Sequence, residues 1–200
     1  MTSPRYSKAL ALAARAHEGQ VRKGTCIPYI AHPVAVAALV AQYGGDEDQQ
    51  IAALLHDVLE DGGAHYAVEI AAEFGPRVLA IVQGCTDGTP DATGEKAPWH
   101  QRKETYLAHL ASAGEDVWMV SGCDKLSNAR AILDDLNTVG LAVFDRFTAK
   151  RDGTLWYYQA LSQVFTDAEA PMCEELAETV ARIKVLALDG TWGYPQSWRE

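Results

Sequence analysis

The sequence predicts an all-α fold: a single compact helical domain of about nine to ten helices. Three observations carry that prediction. Apolar residues recur at helical spacing through most of the chain. Gly and Pro punctuate it between those stretches. No stretch reads convincingly as a strand. At 200 residues, 48% of them hydrophobic, the chain suits one domain with a substantial core. The expected domain is 1–200, with its core over about 5–168 and a C-terminal helix and tail over 169–200.

Ser3 to His17 reads as the first helix, with Ser3 as cap and Pro4 in the first turn. Glu18 to Ile30 reads as a loop, broken by Gly19, Gly24 and Pro28. His32-Pro33 starts a second helix that runs to about Gln42, and His32 at its entrance can project toward a neighbouring site. Gly44-Gly45 ends it. Asp46 then leads a helix with acids in its first turn, as the helix dipole favours.

That third helix carries Ile51 to Gly63. At about 100° per residue, Ile51, Leu54, Leu55, Val58 and Leu59 fill one arc, and His56, Asp57, Glu60 and Asp61 the other. Small Ala53 leaves space over the polar face. Glu60 and Asp61 lie just before the stop at Gly62-Gly63, against the negative end of the dipole and close to Asp57. Such crowding calls for a cation that the stretch does not supply.

Ala67 to Phe74 and Arg77 to Cys85 read as two shorter helices split by Gly75-Pro76. Thr86 to Pro98 is the longest loop-like stretch, a linker or a cover over a site. Trp99 to Ser112 returns to helix and carries Arg102-Lys103. Val117 to Leu136 is a long helix with Leu126, Ala129, Leu133 and Leu136 toward the core; Asp124 and Asn128, four apart, share another face. An acid there, behind the apolar run Val117 to Val120, pairs with Lys125 or Arg130 or meets a cation. Leu141 to Thr148, Thr154 to Phe165 and Pro171 to Leu188 complete the helices, and the aromatics Trp156, Tyr157 and Tyr158 read mostly as core. The tail from Asp189, with two Trp and one Tyr, is irregular and expected to pack back on the domain.

The formal charge of −10 and the lack of a basic stripe disfavour nucleic acid and anionic membrane as partners. A small phosphorylated ligand stays open where a few basic residues converge. Cys26, Cys85, Cys123 and Cys173 are scattered, without a CxxC pair, and read as buried free thiols. No signal peptide and no apolar run of membrane-spanning length is evident, so a cytoplasmic location is expected.

His32, His56, Asp57 and Asp124 form the pattern H…HD…D on three helices. Imidazoles with carboxylates suit manganese, iron or zinc, and the lack of a thiolate argues against a structural zinc site. Four such ligands leave positions open for water on a six-coordinate ion.

This pattern resembles that of the HD-domain metal phosphohydrolases. More closely, AHEGQVRKGTCIPYIAHPVAVAALV, IAALLHDVLED and CDKLSNARAIL resemble the hydrolase domain of the RelA/SpoT homologues, which remove the 3′-pyrophosphate from ppGpp and pppGpp. The similarity is densest over 9–61 and 117–133 and continues more weakly to about 165. With no room for that family's synthetase and regulatory domains, the chain resembles the stand-alone small alarmone hydrolases.

The resemblance implies metal ligands at His32, His56, Asp57 and Asp124, with manganese the usual ion and another divalent metal as the alternative. It makes Glu60 and Asp61 the acidic pair that orients the attacking water and handles protons. Arg22 matches a residue that packs on the guanine, with Lys23 beside it near the phosphates. Tyr29 matches a pocket tyrosine, and Asn128 a nucleoside-contacting Asn. Lys125, Arg102 and Lys103 are further candidates for the pyrophosphate. Three departures stand out: the loop RKGTCIPY is one residue longer than usual, Gly62 stands where Thr is common, and Ala131 stands where long family members often carry Thr. The expected activity is manganese-dependent hydrolysis of ppGpp or pppGpp to GDP or GTP plus pyrophosphate. A nucleotide phosphatase on another substrate, such as the 2′-phosphate of NADPH, and a non-catalytic nucleotide-sensing HD domain are the alternatives.

Overall fold

A computed structural model of the chain describes residues 3–87 and 97–189. Among these the architecture is α-helical, with only an isolated bridge between Val21 and Pro28. The helices are α1 (Pro4–Ala16), α2 (Ala31–Gln42), α3 (Glu47–Leu55), α4 (Tyr66–Phe74), α5 (Pro76–Cys85), α6 (Trp99–Ala111), α7 (Glu115–Val139), α8 (Lys150–Asp167) and α9 (Cys173–Asp189). A π-helical turn spans Val58–Gly62 and a 3-10 segment Gly140–Arg146. Most of the expected loop 86–98, and the tail beyond 189, lie outside the described residues.

Local chemistry sets the helix ends. Ser3 Oγ accepts from Tyr6 N–H at 3.1 Å and caps α1. Asp46 and Gln49 form a reciprocal capping box at the start of α3. At 25 residues, α7 is about 38 Å long. It runs through the centre, packed by α2, α3, α5, α8 and α9. Leu126, Ala129, Leu133 and Leu136 are buried along it. Gly122 admits α9 closely: a Cβ there would stand 2.3 Å from Met172 Sδ.

Ion pairs clasp the helix ends on one side. Arg5 reaches Glu47, Asp48 and the Phe74 carbonyl, while Arg77 reaches Asp46 and Asp116. The four cysteines are free, but only Cys85 and Cys123 are buried; Cys26 is exposed because its loop stands off the core. No helix among the described residues is long and apolar enough to cross a membrane.

Candidate active site

The third helix is shorter than its periodicity suggests. It ends as an α-helix at Leu55, His56 and Asp57 form a turn, and Val58–Gly62 wind as a π-turn. Gly63 N–H closes that turn on the Val58 carbonyl at 3.1 Å, and Gly63, at φ 112°, supplies a left-handed exit. The continuous helix expected over Ile51 to Gly63 is therefore corrected. The wider winding displaces Glu60 and Asp61 from the positions that regular α-helical rotation would give them. Gly62 is confined by packing: a Cβ would stand 3.0 Å from the Tyr66 ring and 3.4 Å from Ala16 Cβ. A Thr at that position would have to displace Tyr66. Ala53 is wholly buried rather than open over the polar face, and its carbonyl serves His56.

His32 from α2, His56 and Asp57 after α3, and Asp124 from α7 converge. His32 Nε2 lies 3.0 Å from Asp124 Oδ1 and 3.7 Å from Asp57 Oδ2. His56 Nε2 lies 3.0 Å from Asp57 Oδ2 and 3.6 Å from Asp124 Oδ1. The ligand atoms of His32, His56 and Asp124 all fall within 4.8 Å of one another.

His56 Nδ1 lies 2.7 Å from the Ala53 carbonyl, which can only accept. The neutral ring therefore carries its proton on Nδ1 and turns the Nε2 lone pair to the cluster, as a metal ligand requires. Nε2 is buried and makes no hydrogen bond to the protein. Burial opposes charge on His56, but the Asp57 and Asp124 carboxylates outweigh it and raise its basicity well above the usual imidazole range. On His32 burial prevails and lowers it, with Asp124 partly offsetting the effect. Burial would also raise both acids. The His56 imidazole instead holds Asp57 far below the carboxylate range, and Lys125, with Nζ 2.7 Å from Asp124 Oδ2, does so for Asp124. The cluster calls for a positive charge at its centre, supplied by a proton or by a metal. Two imidazoles and two ionised carboxylates fit a divalent metal.

The other expected residues stand in different relations to this cluster. Tyr29 Oη donates to Asp57 Oδ2 at 2.6 Å. Asn128 Nδ2 donates to Asp124 Oδ1 at 2.6 Å, and its Oδ1 accepts from Arg22 Nη2 at 2.9 Å. Lys23 is exposed on the same loop as Arg22. Asp61 is open to solvent on one side. Its carboxyl is raised by protein crowding on the others, then by the charges of Asp57 and Glu60. Arg102 and Lys103 are both tied to Asp87. Burial lowers Lys103, and the charge of Lys125 lowers it further.

Two further residues carried no sequence signal. Asp87 is buried just beyond α5, in a stretch that reads as loop. Tyr157 is buried within the aromatic run read as core, yet its Oη lacks a protein partner. Lys103 Nζ stands 4.7 Å from the Tyr157 ring centroid, and the charges of Lys125, Asp87, Asp124 and Glu60 all reach its phenol. Both gain significance only from chain segments far away in sequence.

Residues 9–155 match the HD domain family. An Aquifex aeolicus guanosine-3′,5′-bis(diphosphate) 3′-pyrophosphohydrolase is 35% identical over 60% of this chain and 16% of its own length. A Haemophilus influenzae protein of the same name is 48% identical over 36% of this chain and 10% of its own length. The chain thus spans a sixth or less of these bacterial relatives. The Xenopus tropicalis enzyme of that name, MESH1, is 36% identical over 62% of this chain and 66% of its own length. Among solved structures, a Listeria monocytogenes protein superposes with a TM-score of 0.64 at 26% identity, over 74% of this chain and 96% of its own. A metazoan SpoT ortholog described as hydrolysing ppGpp shares the fold, with a TM-score of 0.59 at 24% identity over 84% and 97%.

Proposed function

The chain belongs to the HD domain family, and on that footing we propose that it is a manganese-dependent hydrolase. It removes the 3′-pyrophosphate of ppGpp or pppGpp, leaving GDP or GTP. One observation carries the substrate half of this reading: the hydrogen-bonded run Arg22–Asn128–Asp124 joins the basic loop to the metal cluster. A ligand held by Arg22 would lie beside that cluster. The relatives named for this reaction support the same reading. We take the chain as one domain, since α9 packs against α7 and α8.

In this mechanism His32, His56, Asp57 and Asp124 would hold the ion, and manganese is the proposed one. A divalent ion held there would supply a water acidified toward a pKa of about 7 and Lewis-acid polarisation of the phosphoryl group. Tyr29 keeps Asp57 oriented through its hydroxyl. Glu60 and Asp61 align the water and take its proton, and the raised carboxyl of Asp61 suits it to accept one. Arg22 packs on the guanine, and Lys23 meets the phosphates. Burial, then the charge of Lys125, lowers Lys103, and a pyrophosphate meeting both cations would offset that. Arg102 supports this arrangement through Asp87.

Turnover of ppGpp by the wild type, His56→Ala and Glu60→Gln tests the proposal. His56→Ala should lose manganese binding and activity together. Glu60→Gln should bind manganese normally and turn over at least about 100-fold more slowly. A Glu60→Gln rate near wild type would remove Glu60 from the mechanism.

A further inference from the structure

His17 ends α1 directly behind the acidic turn. The residue is 3% exposed. Its backbone N–H bonds Ala13 O at 3.0 Å, and its carbonyl accepts from Gln20 N–H at 3.1 Å, so the residue is fixed on both sides. Its Nδ1 lies 2.8 Å from Gln20 Oε1, and the Gln20 carbonyl accepts from Tyr29 N–H at 2.9 Å. The ring packs on Tyr29 with centroids 4.7 Å apart. His17 is thereby locked to the tyrosine that orients Asp57.

The other ring nitrogen is unspent. With Nδ1–H donated to Gln20, Nε2 is a bare acceptor. It is buried and has no protein partner. A buried polar atom is normally hydrogen-bonded, so an acceptor left open on a residue otherwise held in place is free to meet a donor that arises during the reaction. The chain that lies against this end of α1 is the π-turn: a Cβ on Gly62 would stand 3.4 Å from Ala16 Cβ. Ala16 therefore faces Gly62, and His17 and Asp61 are their immediate chain neighbours. The His17 ring lies near enough to the Asp61 carboxyl that its protonated form would oppose the burial that raises that carboxyl.

We propose that His17 is a positioning residue for Asp61: its Nε2 accepts the hydrogen bond of the Asp61 carboxyl once that carboxyl has taken the proton of the attacking water. The inference rests on the role given to Asp61 above. The water oxygen forms its bond to phosphorus as its proton moves to Asp61. The bond from phosphorus to the ribose 3′-oxygen breaks, and the proton held on Asp61 is returned to that oxygen. Between these events the Asp61 O–H points at His17 Nε2 and is kept from straying into solvent.

Glutamine and asparagine separate the two ring nitrogens. The amide of Gln reaches the place of Nε2; that of Asn reaches only the place of Nδ1 and can preserve the bond to Gln20. In manganese-loaded protein with ppGpp, His17→Gln should keep kcat within about 3-fold of wild type, and His17→Asn should lower kcat about 30-fold with KM little changed. Added to Asp61→Asn, His17→Asn should cost nothing more, because it acts through Asp61. A purely structural His17 gives the reverse order, with Asn the milder change, or losses that multiply in the double variant; either result overturns the proposal. A second readout needs no turnover. The ¹⁵N shifts of His17 in the wild-type protein should report a bare Nε2 and a protonated Nδ1, and a proton on Nε2 in the neutral ring overturns the proposal even if every variant folds poorly. A wild type inert toward ppGpp would instead overturn the hydrolase reading, while the nitrogen shifts still decide for or against His17.

Discussion

Replacing Gly24 with Ala should loosen the loop that presents Arg22 and Lys23. Gly24 has φ +74°, where a Cβ crowds the backbone at a cost of about 1–2 kcal/mol. The added carbon would also stand 2.6 Å from Arg146 Cδ and 2.8 Å from its Cγ and Nε, so the Arg146 side chain must move. That side chain is held: its Nη1 bonds Asp135 Oδ2 at 2.5 Å. The pair is partly exposed, and its loss costs a further ~0.2–1 kcal/mol. The total is about 1–3 kcal/mol, to be read from urea unfolding. Arg22 N–H bonds the Ile27 carbonyl at 2.8 Å, and Thr25 Oγ1 bonds the Arg22 carbonyl at 2.9 Å. A displaced turn therefore displaces Arg22, and KM for ppGpp should rise while kcat, set at the metal cluster, holds. In an Arg146→Ala background only the backbone strain remains, and Gly24→Ala should cost less. An equal cost in both backgrounds would refute the clash; an unchanged KM would refute the link between this turn and substrate.

Manganese at about 100 times its Kd should stabilise the wild type by about 2.7 kcal/mol, or about 5–10 °C in Tm for a chain of this size. A chelator should remove that gain, and His56→Ala should show none; a melting point indifferent to chelation would count against the metal site. Tyr29→Phe deletes a hydrogen bond to the ionised Asp57 and should weaken manganese binding about 10-fold in a direct titration, with an unaltered affinity arguing that Tyr29 does not orient Asp57. Acid stability should depend on Arg77, which holds the Asp116 carboxyl below its ordinary range. A carboxyl so depressed contributes stability above its unfolded pKa of about 4 and loses it as pH falls through the lower folded value. Arg77→Leu should flatten the loss below about pH 4, by less than ~1 kcal/mol because the groups are substantially exposed; identical acid-melting curves would dismiss the clasp.

The helices were legible because their cores repeat at helical spacing. Leu126, Ala129, Leu133 and Leu136 on α7, and Met172, Leu176, Val180 and Ile183 before and along α9, are buried as that spacing requires. The convergence of His32, His56, Asp57 and Asp124 was legible because His and Asp are scarce in apolar surroundings, and His32 and Asp124 sit at helix positions that can meet the turn after α3. The π-turn was not: one backbone bond shifted from the fourth to the fifth residue leaves the side-chain order unchanged, and Gly62-Gly63 reads only as a stop. Leu141 to Thr148 likewise reads as helix but tightens to 3-10 over Gly140–Arg146. Arg102 and Lys103 look like free cations in sequence, while the fold gives both to Asp87. Tyr157 reads as core because burial and burial beside charges look the same in a one-dimensional pattern. His17 reads as the last residue of a helix, and only the packing of Ala16 on Gly62 sets it behind Asp61.

The most direct test of the central claim is product analysis of purified wild-type protein incubated with manganese and ppGpp, with NADPH in a parallel reaction. GDP and pyrophosphate are expected in equal amounts from ppGpp, their formation abolished by a chelator, with much slower phosphate release from NADPH. Inorganic phosphate in place of pyrophosphate, faster turnover of NADPH, or undiminished activity in chelator would contradict the claim.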